Sequence, residues 1–205
     1  LQMLYTVDKK KISCEKPLLW DTLRFLFPVA IVDCREIKHF LFEWCEGKAF
    51  LSSDLASQEK RVKNELDTHI LECFATLAEA LDYMESGIPT SMKTKIRFFY
   101  TDLNPSNVMY HENHLSLIDP LSLVSYQGEE IILKPNKISV PADHGLHLYS
   151  CHPYWLVKEN RQDYLDSGSL RDFRGLTSWW FTQMFVFSLF GISPVSFFKD
   201  FQSGK

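Results

Sequence analysis

The sequence has no long apolar run and no excess of positive charge, and each absence removes a class of protein. The longest apolar stretch, residues 179–190, includes Thr182, Gln183 and Ser188 and is shorter than the roughly 20 residues that span a bilayer. A net charge of -4 gives no basic field to attract a phosphate backbone. We therefore expect neither a membrane span nor nucleic acid as a partner.

Paired cysteines and a secretion signal are also missing. The five cysteines include no C-x-x-C pair and their number is odd, which favours a reducing compartment. The start of the chain lacks the charged, apolar and small-residue succession of a signal peptide, so we expect a cytoplasmic location. The chain begins at Leu1 rather than at a Met, which leaves open a processed form or a piece of a longer protein.

The composition that is present is that of a folded protein. Of the 205 residues, 45% are hydrophobic, and 16 Phe and 5 Trp supply large apolar surfaces that can offset the entropy lost on ordering. The length suits one domain of ordinary size, or a two-lobed domain with a small first lobe.

Local patterns in the first part of the chain predict helices around one hairpin. Residues 17–27 place apolar side chains at near-helical spacing behind a Pro, which predicts a helix. The runs 29–34 and 39–44, separated by the charged stretch 35–38, predict a β-hairpin. Apolar residues recur every three or four positions over 66–84, which predicts a long amphipathic helix.

The second part predicts short strands, a long loop and a buried helix. The runs 96–100, 108–111 and 115–119 are typical of strands, and the first two bracket a polar loop at 101–107. Residues 121–160 show little periodicity, which predicts a long functional loop. The block 179–190 predicts a helix that is buried on most faces.

Three oxygen-bearing side chains, Asp102, Asn107 and Asp119, lie in the polar loop and at the end of the strand pair that follows it. Taken singly, such residues are most often turn-formers that bond the local backbone. Phosphoryl transfer from ATP, however, mainly needs cations on the phosphates and an oriented nucleophile, and Mg²⁺ prefers carboxylate and amide oxygens. We expect Asn107 and Asp119 to bind Mg²⁺ while Asp102 accepts the hydrogen of the acceptor hydroxyl.

The segment Y-T-D-L-N-P-S-N-V-M-Y, followed by L-S-L-I-D-P, resembles the protein-kinase-like superfamily, which includes protein kinases and the aminoglycoside and ketosamine phosphotransferases. By this resemblance Asp102 takes the role of the catalytic-loop aspartate, Asn107 that of the metal-binding asparagine and Asp119 that of the main Mg²⁺ aspartate. The D-L-N-x-x-N form is similar to small effector kinases that bacterial pathogens deliver into host cells. I-D-P is similar to ketosamine kinases and some phage kinases.

The resemblance implies an α+β, two-lobed fold with a reduced or truncated N-lobe and a mainly helical C-lobe. Residues 1–47 would form the partial N-lobe, a helix plus a β-hairpin, with a hinge at about 43–47. F-L-F-E-W-C-E-G resembles the strand and hinge between lobes, so the backbone of Glu43, Trp44 and Cys45 would meet the adenine of ATP.

The C-lobe would comprise residues 48–205. Within it the resemblance implies a catalytic loop at 100–107 and the metal-binding Asp119. An activation-segment equivalent at 121–176 and a buried helix at 178–190 would follow.

The departures from the family pattern concern the phosphate end of the site. No glycine-rich loop precedes residue 47, so either the chain lacks preceding residues or the ATP lid is absent. The phosphate-binding Lys is a candidate only by position, among Lys9, Lys10 and Lys11, and we assign Lys11. Tyr100 and Thr101 replace the usual His-Arg, so control through an Arg that pairs with a phosphorylated loop is not expected.

Three functions remain open. The leading expectation is a Ser/Thr protein kinase, because the long segment 121–176 suits a protein substrate. A small-molecule kinase of the aminoglycoside or ketosamine type is favoured by I-D-P and the missing His-Arg. An inactive pseudokinase that binds a partner protein, which completes or regulates the N-lobe, is favoured by the missing glycine loop and Lys.

Overall fold

The computed structural model describes residues 2–50, 66–100, 103, 105–127, 130–133 and 170–190, which form a mixed α and β structure. The helices are α1 (Gln2–Tyr5), α2 (Lys9–Glu15), α3 (Pro17–Leu23), α4 (Leu66–Ser86) and α5 (Leu170–Phe190). The strands are β1 (Ala30–Cys34), β2 (Ile37–Leu41), β3 (Lys48–Ala49), β4 (Ile88–Pro89), β5 (Lys95–Tyr100), β6 (Val108–His111), β7 (His114–Leu117), β8 (Leu123–Gln127) and β9 (Glu130–Leu133). Short 3₁₀ turns occur at Arg24–Leu26 and Pro120–Ser122. The expected α+β class is confirmed.

Three short helices precede the hairpin and pack against later parts of the chain. Asp8 caps α2, since its Oδ1 accepts a hydrogen bond of 3.1 Å from the backbone N–H of Lys11. Pro17 lies in the first turn of α3, where its missing N–H costs nothing. The helix predicted at 17–27 is confirmed, with its last turn tightened to 3₁₀, and α3 contacts both α4 and β7.

The predicted hairpin is confirmed as the antiparallel pair β1 and β2. Its turn needs only Arg35 and Glu36, which both adopt left-handed φ angles of 49° and 67°, as in the two-residue turns that match strand twist. Because the turn is so short, the second strand begins at Ile37, two residues before the predicted start.

The long amphipathic helix is also confirmed, as α4. Its buried face recurs every three or four residues and is formed by Ile70, Cys73, Phe74, Leu77, Ala80, Leu81 and Met84. The helix ends before Gly87, whose φ of 108° is a conformation that glycine adopts without steric cost.

The larger described sheet has the strand order β4-β5-β8-β9, and a second sheet has the order β3-β6-β7. Consecutive residues Phe98, Phe99 and Tyr100 of β5 are fully buried, so both faces of this strand are covered. Helices α4 and α5 both contact β5. The strands predicted around the polar loop are therefore confirmed. The buried strand β5 leads directly into that loop.

The long loop predicted at 121–160 is wrong where β8 and β9 form. Strand β8 pairs with β5 from Arg97↔Tyr126 to Tyr100↔Leu123. Residues 123–126 are all buried, so no alternation of apolar and polar residues marked the strand in the sequence. Residues 128–129 and 134–160 of the predicted loop lie outside the described residues.

Helix α5 begins at Leu170, eight residues before the predicted start at 178. The segment assigned as 121–176 therefore contains two strands and the first turns of a helix. Of the described side chains of α5, those of Thr177, Trp180, Gln183, Met184 and Ser188 are buried. Ser178, Thr182 and Phe190 are exposed, so the helix is buried along one face rather than on most faces.

Buried apolar residues form one cluster that extends from Leu4 to Met184. The N-terminal helices thus share a core with α4, the sheets and α5. Among the helices that the structure describes, none combines the length and the apolar character that crossing a bilayer requires.

Candidate functional site

A cavity of about 650 Å³ lies where the chain leaves the hairpin and meets the end of β7. Its walls are the whole 42–47 segment together with Phe25, Met109, Ile118 and Asp119. This volume is typical of small-molecule sites, which combine apolar walls with a few polar groups. Here the apolar walls come from several elements, and Asp119 supplies a carboxylate.

The 42–47 segment contains three of the predicted cofactor-binding residues, Glu43, Trp44 and Cys45, and all three line the cavity. The Trp44 side chain is 85% exposed, so it stands at the rim. Burial raises the pKa of the Cys45 thiol, against an opposing effect of the Arg24 charge. Cys45 is therefore a packing residue of the wall rather than a thiolate nucleophile.

Asp119 has a left-handed backbone conformation, with φ 65° and ψ 80°. Its Oδ1 accepts a hydrogen bond of 3.0 Å from the backbone N–H of Leu121, and Pro120 follows directly. Left-handed residues other than glycine are uncommon and cluster at functional sites. The turn after β7 thus fixes this carboxylate at the cavity wall.

Asn107 lies beside Asp119 along the backbone pairing of β6 and β7. The N–H of Ile118 donates a hydrogen bond of 3.0 Å to the carbonyl of Asn107, and the next pair is Val108↔Leu117. Two of the three predicted functional residues are therefore held together by this hairpin.

Asp102 lies outside the described residues, but Tyr100 before it and Leu103 after it are described. The hydroxyl of Tyr100 donates to the carbonyl of Ile118, and Thr177 Oγ1 donates a hydrogen bond of 2.8 Å to the carbonyl of Tyr100. After Asp102, Leu103 is fully buried. The loop that carries Asp102 thus begins at a residue bonded to the chain just before Asp119.

The donor set at Asn107 and Asp119 fits a hard divalent cation such as Mg²⁺, which takes few protein oxygens and keeps several waters. Within the described ranges no three His, Cys, Asp or Glu side chains gather around one point, as a closed protein-only metal centre would require. The rings of His111 and His114 are 6.2 Å apart and perpendicular, and we assign no metal to them.

Lys11, the predicted phosphate-binding residue, is exposed on α2 and does not line the cavity. Its neighbour Lys9 interacts electrostatically with Glu43 of the cavity wall. Burial lowers the pKa of Lys9, and the Glu43 carboxylate opposes that effect. The structure thus leaves Lys11 apart from the other predicted site residues.

Sequence reasoning missed Arg24, Phe25 and Met109. Arg24 is the only charged residue between positions 22 and 32, and such a lone charge in an apolar run could have marked it. Its Nη2 lies 2.9 Å from His111 Nε2. No comparable signal marks Met109, which lies in the short strand β6.

Gly47 ends the 42–47 segment where it approaches β6. A Cβ atom there would lie 2.6 Å from the carbonyl oxygen of Tyr110, so Gly47→Ala should force the segment away from β6. We expect a loss of about 1–3 kcal/mol in the free energy of unfolding, measured by urea denaturation, together with weaker binding of any ligand of the cavity.

Gly87→Ala is the matched control. Gly87 has a φ of 108° and a new Cβ would lie 3.2 Å from the Lys95 side chain, so this variant should lose stability through its backbone. Gly87 does not line the cavity, so ligand affinity should be unchanged. Equal affinity in both variants would contradict the role given to Gly47.

Comparison of the chain with protein-family models, curated proteins and solved structures gives no match. What the chain does therefore has to follow from its own residues and their geometry.

Proposed function

We propose that the chain is an ATP- and Mg²⁺-dependent phosphotransferase with a two-lobed, protein-kinase-like fold, and that its acceptor is a Ser or Thr hydroxyl of a protein. The observation that carries this proposal is that Glu43, Trp44 and Cys45 line the same cavity as Asp119. The segment proposed to meet a base and the carboxylate proposed to meet a metal thus share one site.

The apolar part of the cavity suits a planar base. Phe25, Met109 and Ile118 contribute wall surface on which a purine ring can be buried, and pockets of this kind use a few backbone groups to fix orientation. The residues at 43–45 belong to no helix or strand. Their N–H and C=O groups are therefore in a position to hydrogen-bond the edge of an adenine.

The polar end suits the phosphates. Asn107 and Asp119 would hold Mg²⁺, which when bound neutralises charge on the β- and γ-phosphates. Asp102 would orient the acceptor hydroxyl and take its proton. The hydroxyl oxygen then bonds to the γ-phosphorus, the bond from that phosphorus to the bridging oxygen breaks, and ADP leaves.

Binding of Mg²⁺ and ATP to the native protein is the first test. At a ligand concentration about 100 times the Kd, we expect about 2.7 kcal/mol of stabilisation, which raises the melting temperature of a chain of this size by about 5–10 °C. ATP with EDTA should give a much smaller rise. The absence of any rise with Mg²⁺ present would count against the proposal.

The acceptor is tested by transfer of radiolabelled phosphate from ATP. Label on the protein itself or on mixed polypeptides supports a protein kinase. Label on aminoglycosides or ketosamines alone would assign the chain to small-molecule kinases, the alternative that I-D-P favours.

A second candidate function, binding of a partner protein without catalysis, is favoured by the hairpin. In the described residues β1 and β2 form a sheet of only two strands, and Val32, Ile37 and Leu41 are exposed on one of its faces. Two-stranded sheets are marginal in water, so a partner that covers this face would stabilise it. Failure of Mg²⁺ and ATP to bind would favour this function.

A further inference from the structure

The side chain of Arg24 joins the wall of the cavity to the hairpin of β6 and β7. Its Nη2 donates a hydrogen bond of 2.9 Å to His111 Nε2 and one of 3.3 Å to Glu112 Oε2. Its Nε lies 3.8 Å from Glu43 Oε2, and its guanidinium carbon lies 4.8 Å from the centre of the Phe25 ring. Glu43 and Phe25 both line the cavity, so one cation contacts two parts of its wall.

Arg24 is partly buried, whereas the side chains of its partners Glu43 and Glu112 are 39% and 63% exposed. The Arg24 side chain is only 23% exposed, and its Nε is buried without a hydrogen-bond acceptor among the described residues. Partial burial limits screening by water and salt. The Phe25 ring also meets the His111 ring edge to face, with centroids 5.5 Å apart, which ties the wall to the hairpin a second time.

We propose that Arg24 is a positioning residue of the cavity, which holds Phe25 and the 42–47 segment in the conformation that binds the nucleotide. This inference rests on the proposed function for the identity of the ligand. It does not rest on it for the geometry, because these contacts of Arg24 are all with residues of the chain. Arg24 itself does not touch the cavity and acts through Glu43 and Phe25.

His111 supplies the acceptor for the shortest of these contacts. An arginine side chain can only donate, so His111 Nε2 must accept, and the ring must carry its proton on Nδ1. Glu112 Oε2 lies 3.4 Å from the same Nε2, so Arg24, His111 and Glu112 form one polar cluster at the turn of β6 and β7.

Other charged groups also face His111, and the test must distinguish their effects from that of the hydrogen bond between Arg24 and His111. Glu46 and Lys48 line a small cavity together with His111 and Glu112. His114 on β7 lies next to His111. Burial lowers the pKa of His114, and the charge of Asp21 opposes this effect. Only a change at His111 itself isolates the hydrogen bond from Arg24, because substitution of any of the others leaves that acceptor in place.

The experiment measures the Kd of Mg²⁺ and ATP, and hydrogen exchange of the backbone amides at 42–47, in the wild type and four variants of the intact chain. Arg24→Gln should raise the Kd about tenfold, the usual loss for a hydrogen bond to a charged group, and should speed exchange at 42–47. Arg24→Lys should recover part of both, since it restores the charge but not the fork of donors.

His111→Gln keeps a side-chain acceptor at this position. Its Kd should therefore stay closer to the wild-type value than the Kd of Arg24→Gln does. Arg97→Gln is the matched control, because Arg97 is also partly buried, donates to the Glu85 carbonyl at 2.9 Å and lies over Phe99. It should lose stability without any change in the Kd or in exchange at 42–47.

The outcomes separate this inference from the proposed function. If the wild type binds no nucleotide, the proposed function fails, and faster exchange at 42–47 in Arg24→Gln alone still supports the positioning role. Unchanged exchange and unchanged Kd in Arg24→Gln overturn it. A Kd that rises as much in His111→Gln as in Arg24→Gln overturns the acceptor role assigned to His111.

Discussion

Replacement of Asp119 by Asn is expected to remove the Mg²⁺ dependence of ATP binding and to slow phosphoryl transfer at least about a hundredfold. Under the proposed function, a bound Mg²⁺ would stabilise the charge of the transition state by several kcal/mol, and each 1.4 kcal/mol is about a factor of ten. Asn keeps the oxygen that accepts from the Leu121 N–H and tolerates the left-handed backbone, so the fold should survive. Calorimetric titration of ATP with and without Mg²⁺, and single-turnover transfer, measure both effects.

Asp82→Asn is the matched control for Asp119→Asn, because Asp82 is an exposed carboxylate on α4. This variant should bind ATP with Mg²⁺ and transfer the phosphoryl group as the wild type does. If Asp119→Asn kept the same dependence of ATP affinity on Mg²⁺, the metal would have to be held elsewhere, and the site described above would be the wrong one.

Replacement of Phe74 by Ala is expected to reduce the free energy of unfolding by about 3–5 kcal/mol, as truncation of a buried Phe usually does. Phe74 is 1% exposed, and its ring lies 5.5 Å from that of Phe181 and 5.1 Å from that of Phe185. It also meets Phe50 at 6.1 Å. The cost is large because this one residue of α4 packs against both α5 and Phe50, which directly follows β3.

Leu71→Ala is the control for Phe74→Ala, since Leu71 lies on the same helix but is 49% exposed. Its cost should be below about 0.5 kcal/mol. A double-mutant cycle between Phe74 and Phe181 should give a coupling of about 0.5–1.5 kcal/mol. A loss below about 1 kcal/mol in Phe74→Ala would contradict the packing of α5 on α4.

Elements with a strong local period were predictable, and elements defined by distant pairing were not. Helix α4 shows its buried face in the sequence, from Ile70 to Met84, and the β1 and β2 hairpin is marked by two β-rich runs. Strand β8 is buried on both faces, so it has no alternation, and what makes it a strand is the free edge of β5.

The residues of the candidate site also divide into those that local sequence brings together and those that only distant contacts bring together. Asn107 and Asp119 are twelve residues apart in the sequence, and the short hairpin between them brings them together. The contact of Arg24 with His111 joins residues 87 positions apart, and nothing local to either residue predicts it. Lys11 was assigned by order along the chain alone, and α2 directs it to solvent.

The hydrogen bond from Thr177 to the carbonyl of Tyr100 has a mechanical consequence. That carbonyl belongs to the peptide unit that leads into the loop with Asp102, while the hydroxyl of the same Tyr100 reaches the residue before Asp119. A displacement of α5 would therefore be transmitted through one tyrosine to the residue before Asp119. Helix α5 is thus coupled to the strand end that carries the proposed metal ligand.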